Sequence, residues 1–308
     1  MTAVPYIKKN ELLVALILIF LPYLFLTKMG ESSLISKMIP MGISWFGVLL
    51  LGDLFNRKTN NNSGLLSEKI FTKRIGLIAL AAFIMNVFSD LTGSILTRLW
   101  YFPNTSPITY LTFFAPLGYL VFGLILFVFY HAFKGLMNKR VKPGRTKIKA
   151  QIKYQLIMNI YPFISLFLIL VSVNYFYNLS QLFPIKHLAL NESSGIAVDL
   201  TSTFSIWLGV FFMLEFFCYK QKKETLTRDI IRHNFIPLIA IILSSLSVII
   251  LIEWFNAPFQ VWVFDNWGSD QFHFLSIPAA AYLIWPIQYL VLLPLIRFFD
   301  NSNRENIW

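Results

Sequence analysis

Eight long apolar stretches follow one another along the 308 residues of this chain. Each is long enough to cross the roughly 30 Å hydrocarbon core of a bilayer as a helix, which rises about 1.5 Å per residue. Hydrophobic residues make up 56% of the chain and charged residues only 13%, far from the average of soluble domains. The sequence therefore predicts an all-α, polytopic integral membrane protein. The predicted helices cover residues 11–28, 38–55, 75–97, 109–133, 154–178, 201–219, 235–254 and 274–298.

The polar connections differ in charge, and this difference predicts the orientation of the helices. Connections 56–74, 134–153 and 220–234 are rich in Lys and Arg, whereas the alternate connections contain few cations. Because cytoplasmic loops carry an excess of Lys and Arg, the alternation predicts eight spans with both termini in the cytoplasm. This orientation explains the net charge of +11, and no motif predicts binding to nucleic acid. A bias towards Asn, Lys, Ile and Phe favours an AT-rich bacterial genome, and hence the inner membrane as the location.

Uncommon residues recur in register at a separation of 162 positions, which predicts an ancient duplication. The first four-helix repeat would cover residues 1–143 and the second residues 144–308. Both repeats would cross the membrane in the same direction, related by a pseudo-two-fold axis along the membrane normal. A site for a substrate or an ion is expected where they meet. The matching pairs include Trp45 and Trp207, Gly47 and Gly209, Trp100 and Trp262, Phe102 and Phe264, Asn104 and Asn266, and Pro116 and Pro278.

Two acidic residues, Asp90 and Glu253, lie within predicted spans near the outer membrane surface. Ionisable side chains are costly inside a bilayer and are usually functional. Two carboxyl groups in one cavity would repel each other as anions, which favours a protonated acid able to donate its proton. We therefore predict that Asp90 and Glu253 are catalytic. The alternative is that both side chains lie at the level of the lipid headgroups and are solvated.

A second acidic pair, Asp53 and Glu215, lies at the cytoplasmic ends of two predicted helices. Arg57 follows Asp53 by four residues, and Lys220 and Lys222 follow Glu215. Side chains of opposite charge at such spacings form ion pairs on helix surfaces. Salt bridges at helix ends are the role predicted for this pair.

The last predicted helix, 274–298, combines prolines with aromatic residues. Three prolines recur at intervals of eight residues, and each frees a backbone carbonyl and bends the helix. Tyr282, Trp285 and Tyr289 follow one another between them at helical spacing. Such a helix suits the wall of a cavity, where ring faces stabilise a carbocation. The alternative is an ordinary packing surface.

Patterns typical of metal and cofactor sites are absent from the sequence. The four histidines show no His-x-x-His or Glu-x-x-His spacing, and Cys218 is the only cysteine. Neither a Gly-rich phosphate loop nor a Gly-x-Ser-x-Gly motif is present. We predict no metal and no cofactor.

An acid, a Trp-x-Phe triplet and a proline at the start of the next helix occur in the same order in both halves. This order resembles the membrane-embedded lycopene cyclase domain family, a helical domain that occurs in two copies and acts on carotenoid ends. The resemblance covers mainly residues 75–133 and 235–298. The family motif continues into Pro-x-Glu-Glu, and neither proline here is followed by these glutamates. The matching residues are Glu253, Trp262, Phe264 and Pro278 in the second half and, less closely, Asp90, Trp100, Phe102 and Pro116 in the first.

The resemblance implies a carotenoid cyclase-like cavity between the repeats, which receives a long polyene from the bilayer and protonates a terminal double bond. A redox-neutral ring closure through a carbocation would follow. Asp90 and Glu253 would take the place of the missing glutamates as proton donors. The residues expected to line the substrate site are Trp100, Phe102, Trp262, Phe264, Tyr282, Trp285 and Tyr289.

Three functions stay open for such a chain in a lipid bilayer. The first is an enzyme that acts on, or a protein that binds, a hydrophobic isoprenoid. The second is a transporter or channel for a small solute or lipid, in which the same acids couple to protons. The third is a non-catalytic scaffold. Replacing Asp90 with Asn distinguishes these functions. The change would abolish turnover by an enzyme or flux through a transporter, whereas a scaffold would tolerate it.

Overall fold

The computed structural model describes most of the chain, and helices account for most of the described residues. The described residues are 9–26, 34–60, 73–97, 99–103, 109–138, 148–182, 199–265, 267 and 273–299. The α-helices are α1 (Lys9–Leu26), α2 (Leu34–Thr59), α3 (Lys73–Asp90), α4 (Tyr119–Asn138), α5 (Ile148–Leu182), α6 (Leu200–Lys220), α7 (Leu226–Ile231), α8 (Ile236–Asn256), α9 (Ala279–Leu290) and α10 (Leu292–Phe299). The π-helical segments are Leu91–Leu96, after α3, and Tyr110–Gly118, before α4. The short strands are β1 (Trp100–Tyr101), β2 (Val263–Phe264), β3 (His273–Phe274) and β4 (Ile277–Pro278).

Seven helical spans among the described residues are long and apolar enough to cross a membrane. The first predicted helix forms α1, whose apolar part, Asn10–Phe25, is shorter. The chain is therefore an all-α, multi-pass membrane protein, as the sequence predicts. The eighth span, the two repeats and the cytoplasmic termini stay predictions, and the proposed boundary between residues 143 and 144 lies outside the described residues. The seven spans are Ser36–Thr59, Ile75–Leu96, Tyr119–Asn138, Ile152–Leu179, Leu200–Lys220, Ile236–Asn256 and Ala279–Phe299.

Helix α1 packs antiparallel against α2. Near the start of α1, Glu11 Oε2 accepts a hydrogen bond of 3.1 Å from Arg57 Nη2, at the end of α2. Further along the pair, Ser44 Oγ donates to the carbonyl of Ile19 at 3.1 Å. Other α1 side chains, such as Leu21 at 63% exposure, have little protein around them. Helix α1 therefore covers part of α2 and leaves the remainder of its own apolar surface exposed.

Four helical units form a closed ring at the centre of the molecule. Helix α3 packs against α4, α4 against α8, α8 against α9, and α10 returns to α3. Ser244 Oγ on α8 donates to the carbonyl of Leu126 on α4 at 2.7 Å, which ties two members of the ring together. Helix α2 packs outside α4, and α6 packs outside α9 and α10. Helix α5 packs mainly against α6, and only 17% of its apolar span is buried, so most of its surface faces lipid.

The last predicted helix begins later than the sequence pattern suggests and is interrupted. Residues 273–278 form the β3–β4 hairpin, in which His273 pairs with Pro278 and Phe274 with Ile277. Pro278 has extended backbone angles, φ −57° and ψ 138°, and the helix begins only at the next residue. A second irregularity separates α9 from α10, where Val291 N bonds to Gln288 O at 3.2 Å. The prolines, which remove backbone donors, account for these departures from one continuous helix.

The second acidic pair follows the prediction in one half only. Asp53 is fully buried, and its Oδ2 lies 3.4 Å from Arg57 Nε, which confirms the predicted i, i+4 contact. Glu215, also fully buried, instead accepts hydrogen bonds from the backbone N–H groups of Leu226 at 3.1 Å and Thr227 at 2.8 Å. Glu215 therefore caps the N-terminus of α7, where free N–H groups need acceptors. The sequence pattern missed this role because α7 was not predicted.

Candidate functional site

Asp90 is the last residue of α3, where the helix widens into the π-helical segment Leu91–Leu96. The widened turn is closed by Leu99 N, which donates to the carbonyl of Gly93 at 2.6 Å. The chain then reverses and brings the Trp100 indole back over the helix end. Trp100 Nε1 donates to Asp90 Oδ1 at 2.8 Å. A helix end, a π-helical turn and a reversal therefore fix the first acid against the first tryptophan.

Glu253 has an equivalent environment in the last turn of α8. Trp262 Nε1 donates to Glu253 Oε2 at 3.1 Å. Asn256 Nδ2 donates to Oε1 at 2.9 Å, and the hydroxyl of Ser276 donates to the same oxygen. Asn256 also bonds to the backbone of Trp262 through both ends of its amide, at 2.9 and 3.1 Å. Asn256 thus holds the acid and the tryptophan together.

The two Trp-x-Phe segments meet at this end of the bundle. Strands β1 and β2 pair antiparallel, with Trp100 opposite Phe264 and Tyr101 opposite Val263. Two further hydrogen bonds reach the carbonyl of Leu99, one from Asp265 N at 2.8 Å and one from Trp267 Nε1 at 2.7 Å. Hydrogen bonds to the backbone therefore link the first half of the chain to the second, close to both acids.

Asp90 and Glu253 line the same cavity, which has a volume of about 90 Å³. Their side chains are buried, with 5% and 1% of the residue surface exposed, so neither is solvated at the membrane surface. All the site residues predicted from the sequence except Tyr282 lie in its wall. The lining residues are Trp45, Asn86, Ser89, Asp90, Trp100, Phe102, Tyr119, Phe122, Ile249, Ile252, Glu253, Trp262, Phe264, Trp285 and Tyr289.

The aromatic side chains of the wall contact one another across the two halves. The ring centroid of Trp285 lies 5.3 Å from that of Phe264 and 6.4 Å from that of Trp100. Both contacts have edge-on geometry. The ring of Tyr289 lies 5.3 Å from that of Phe122 on α4. Trp285 and Tyr289 are four residues apart on α9, so the helix presents both to the cavity.

Tyr282, which was predicted to line the substrate site, lies next to the adjoining hairpin. Its hydroxyl donates to the carbonyl of Phe274 at 2.9 Å, which links the first turn of α9 to the β3–β4 hairpin. Tyr282 is absent from the cavity wall. The aromatic spacing on the last helix therefore identified two wall residues and one residue that supports the adjoining hairpin.

Tyr110 and Tyr119 belong to the site and were missed by the sequence analysis. The Tyr110 hydroxyl donates to Asp90 Oδ2 and lies 3.0 Å from the Tyr119 hydroxyl. Nine residues make about two and a half turns of an α-helix, which puts these side chains on opposite faces. The π-helical segment between them has wider turns, and it brings them to one side. No helical periodicity in the sequence predicts this contact.

Asn256 was also missed, although a signal for it exists. It lies three residues after Glu253, about one helical turn away, although two residues beyond the predicted span 235–254. Trp45 was identified only as one member of a repeated pair, and the structure puts it in the cavity wall.

The charges of the site are unusual because the acids have neutral partners. Lys, Arg and His are absent from the described residues that line the cavity. Each acid instead accepts hydrogen bonds from indole N–H, hydroxyl or amide groups. Among the described residues, no group of three or more His, Cys, Asp or Glu is placed to hold a metal ion. The cavity thus combines two carboxyl groups with aromatic walls.

Comparisons with protein-family models, curated proteins and solved structures find no match. Function is therefore inferred from the chemistry of the cavity.

Proposed function

We propose that this protein is an integral membrane enzyme that receives the end of a hydrophobic isoprenoid and protonates one of its double bonds. The observation that carries the proposal is that Asp90 and Glu253 line one buried cavity with aromatic walls. Each acid is bonded to the tryptophan of the Trp-x-Phe triplet in its own half. Ionisable groups buried within membrane spans usually have a function beyond stabilising the fold.

The proposal includes two parallel four-helix repeats, with residues 1–143 in the first and 144–308 in the second. The register of β1 and β2 supports this part. A shift of 162 positions takes Trp100 to Trp262 and takes Phe102 to Phe264. The observed pair of Trp100 with Phe264 therefore corresponds to a pair of Trp262 with Phe102, the next pair expected along the same antiparallel ladder. A two-fold axis between Tyr101 and Val263 would exchange these two pairs, as expected if the halves of the chain are repeats.

The proposed reaction conserves mass and oxidation state. The carboxylic acid of Asp90 or Glu253 gives its proton to a terminal carbon–carbon double bond, whose electron pair forms the new C–H bond and leaves a carbocation. A neighbouring double bond of the same molecule attacks the carbocation and closes a ring. A carboxylate then removes a proton from an adjacent carbon and restores a double bond. The ring faces of Trp285 and Tyr289 stabilise the positive charge by their quadrupoles.

The size of the cavity limits what enters it. At about 90 Å³ it is smaller than the roughly 150 Å³ engineered cavity that holds benzene in another protein. A branched, terminal isoprene unit suits this volume, and the remainder of a long chain stays between helices or in lipid. Closing a six-membered ring requires the walls to move apart. The β3–β4 hairpin lies next to the wall and contacts Glu253 through Ser276.

Similarity to the lycopene cyclase domain family makes lycopene the first substrate to test. Asp90 and Glu253 serve in this proposal as the acids that the missing Pro-x-Glu-Glu motif supplies in that family. The bacterial inner membrane, with both termini in the cytoplasm, is the proposed location.

The test is expression of the protein in a bacterium that accumulates lycopene, followed by chromatography and mass spectrometry of the pigments. We expect a product of unchanged mass with absorbance shifted by ring formation. Asp90→Asn and Glu253→Gln should each abolish it, whereas Asp199→Asn, the same chemical change outside the cavity, should retain it. If wild type makes no product of unchanged mass, lycopene cyclisation is ruled out. If Asp90→Asn and Glu253→Gln both remain active, the proposed acids are wrong.

A further inference from the structure

The tip of the β3–β4 hairpin exposes two apolar side chains. Its turn consists of Leu275 and Ser276, which lie between the paired residues Phe274 and Ile277. Phe274 is 58% exposed and Leu275 is 44% exposed, whereas Ile277 is fully buried. Residues 273–278 contain no Asp, Glu, Lys or Arg. One part of the hairpin is therefore packed into the protein, and its tip is uncharged, apolar and exposed.

The backbone conformation of Leu275 is a second unusual feature of the turn. Its φ is 56°, in the left-handed region that bulky residues rarely adopt. Two-residue hairpin turns usually have Gly, Asn or Asp at such positions, because these residues tolerate positive φ. In water, a leucine here would combine a strained backbone with an exposed apolar side chain. Strain of this kind indicates that the side chain itself has a role.

The contact with Glu253 fixes the depth of the hairpin in the membrane. The Ser276 hydroxyl donates to Glu253 Oε1, in the last turn of α8. The next residue on α8, Trp254, is 47% exposed. Exposed tryptophans near the ends of membrane spans usually lie at the level of the lipid headgroups. The hairpin is therefore held at the depth at which α8 reaches the membrane surface.

The exposed tip is continuous with the exposed surface of α9. The Tyr282 hydroxyl donates to the carbonyl of Phe274 at 2.9 Å, and the ring centroids of these two residues are 5.9 Å apart. Leu283, the next residue, is 78% exposed and belongs to the apolar span Ala279–Phe299. Ala279, one turn earlier and directly after the hairpin, is also exposed. The apolar surface of this membrane span therefore extends onto the hairpin.

We propose that the hairpin tip, Phe274 and Leu275, inserts into the lipid of the leaflet on the side of the two acids. Insertion removes from water the apolar surface that the fold leaves exposed, and it buries no charged side chain. Two side chains are far fewer than a stable protein–protein interface needs, so lipid acyl chains are the partner that this surface fits. This inference goes beyond the proposed function and does not depend on what the cavity binds.

The test measures the surroundings of a spin label at the tip. Cys218 is the only cysteine and is buried, and Cys218→Ala gives a background without it. Phe274→Cys and Leu275→Cys are each labelled with a nitroxide in the full-length protein in lipid nanodiscs. Collision rates with oxygen, which concentrates in lipid, are compared with those of a water-soluble nickel chelate. We expect a high ratio of oxygen to nickel collisions at both positions.

Two further positions calibrate this ratio. Leu283→Cys gives the value for lipid, and Gln221→Cys, at an exposed position between Lys220 and Lys222, gives the value for water. Ratios at both tip positions close to that of Leu283→Cys support the inference. Ratios close to that of Gln221→Cys overturn it. Low collision rates with both reagents mean that protein covers the tip, which also overturns it.

A measurement on wild type keeps the test decisive if the labelled variants fail to fold. Nanodiscs are prepared with a lipid that carries a photoactivated carbene precursor in its acyl chain, and the modified residues are identified by mass spectrometry. We expect modification of Phe274 or Leu275 as well as Leu283. Modification of Leu283 without any at the tip overturns the inference. Both measurements are made without substrate, so failure to cyclise lycopene would leave this inference standing, and a water-exposed tip would leave the proposed function standing.

Discussion

Gly93 lies directly beneath the ring of Trp100. A methyl group at position 93 would come within 1.9 Å of Cη2 of Trp100, far inside van der Waals contact. The ring occupies this space while its Nε1 bonds to Asp90. The absence of a side chain at position 93 therefore lets Trp100 reach the acid.

Replacement of Gly93 by Ala should displace Trp100 and weaken its bond to Asp90. We expect the free energy of unfolding to fall by about 1–3 kcal/mol, as is usual when a packed site is overfilled. Chemical unfolding in detergent, followed by tryptophan fluorescence, measures the change. Gly76→Ala in the same membrane span is the control, since a Cβ at position 76 meets nothing within 4 Å, and it should be neutral or slightly stabilising. Equal effects of the two substitutions would contradict the assigned role of Gly93.

The helices were predictable from the sequence because a bilayer allows few backbone conformations. Chain crossing hydrocarbon must satisfy its own backbone hydrogen bonds, so each long apolar stretch becomes a helix. The acids were predictable for a related reason, since Asp90 and Glu253 each cost free energy within an apolar span. Their spacing to Trp100 and Trp262 identified the Trp-x-Phe residues of the cavity wall.

Other features depend on contacts that no local pattern contains. Tyr110 reaches Asp90 only because the segment before α4 is π-helical. Glu215 caps α7, a six-residue helix whose short, mixed sequence has no apolar periodicity. Trp45 joins the wall through packing of α2 against the ring of central helices. Tyr282 lies outside the wall and bonds to the hairpin instead. Each of these depends on tertiary geometry or on a local change in helix winding.

Asn256→Asp tests the clamp around Glu253. The substitution keeps the shape of the side chain but removes the amide donor to Glu253 Oε1 and to the carbonyl of Trp262. It also puts a second carboxyl group against Glu253. We expect a loss of about 3 kcal/mol or more in thermal or chemical unfolding, because buried donors are lost and like groups are brought together. Asn138→Asp, at an exposed position at the end of α4, should change stability by less than about 0.5 kcal/mol.

Glu215→Ala tests the cap of α7. The change leaves the N–H groups of Leu226 and Thr227 without the acceptor that they have at 3.1 and 2.8 Å. We expect a loss of about 2–4 kcal/mol, the combined effect of a lost cap and orphaned buried donors. Faster hydrogen exchange at α7 should accompany it. Glu224→Ala removes a partly exposed carboxylate that pairs with Arg228, and it should lower the free energy of unfolding by less than about 1 kcal/mol. A similar loss of stability in both variants would contradict the role of Glu215 as the cap of α7.

Asp199 gives a pH dependence that is independent of the cavity. It precedes α6 and accepts hydrogen bonds from the Ser202 hydroxyl and from Thr201 N at 3.0 Å, and these bonds lower the pKa of its carboxyl group. A lowered folded-state pKa means that the stabilisation is complete above the unfolded pKa, about 4, and is lost as pH falls through the folded value. The melting-temperature difference between wild type and Asp199→Ala should therefore be largest near pH 7 and should shrink below about pH 4. Asp199→Asn keeps a capping oxygen without the charge, so the difference between it and Asp199→Ala should not depend on pH.

The contact between Tyr110 and Asp90 predicts that substitutions at the two positions are not additive. Tyr110→Phe removes the donor to Asp90 Oδ2 and the hydroxyl contact with Tyr119. We expect it to lower the free energy of unfolding by about 1–3 kcal/mol. Tyr282→Phe, which removes an exposed bond to the carbonyl of Phe274, is the matched control and should cost less than about 1 kcal/mol.

The decisive measurement is a double-mutant cycle of Tyr110→Phe and Asp90→Asn. If the hydroxyl and the carboxyl group act as a bonded pair, Tyr110→Phe removes the bond and Asp90→Asn weakens it by replacing the carboxyl group with an amide. The double variant then loses less stability than the sum of the two single losses. A coupling of about 1 kcal/mol or more is expected for residues in direct contact. Pairing Tyr282→Phe with Asp90→Asn should give additive changes, since Tyr282 bonds to the hairpin and not to the acid. Additive effects in both cycles would mean that Tyr110 packs beside Asp90 without holding it, and the π-helical segment would then lose its role in positioning the acid.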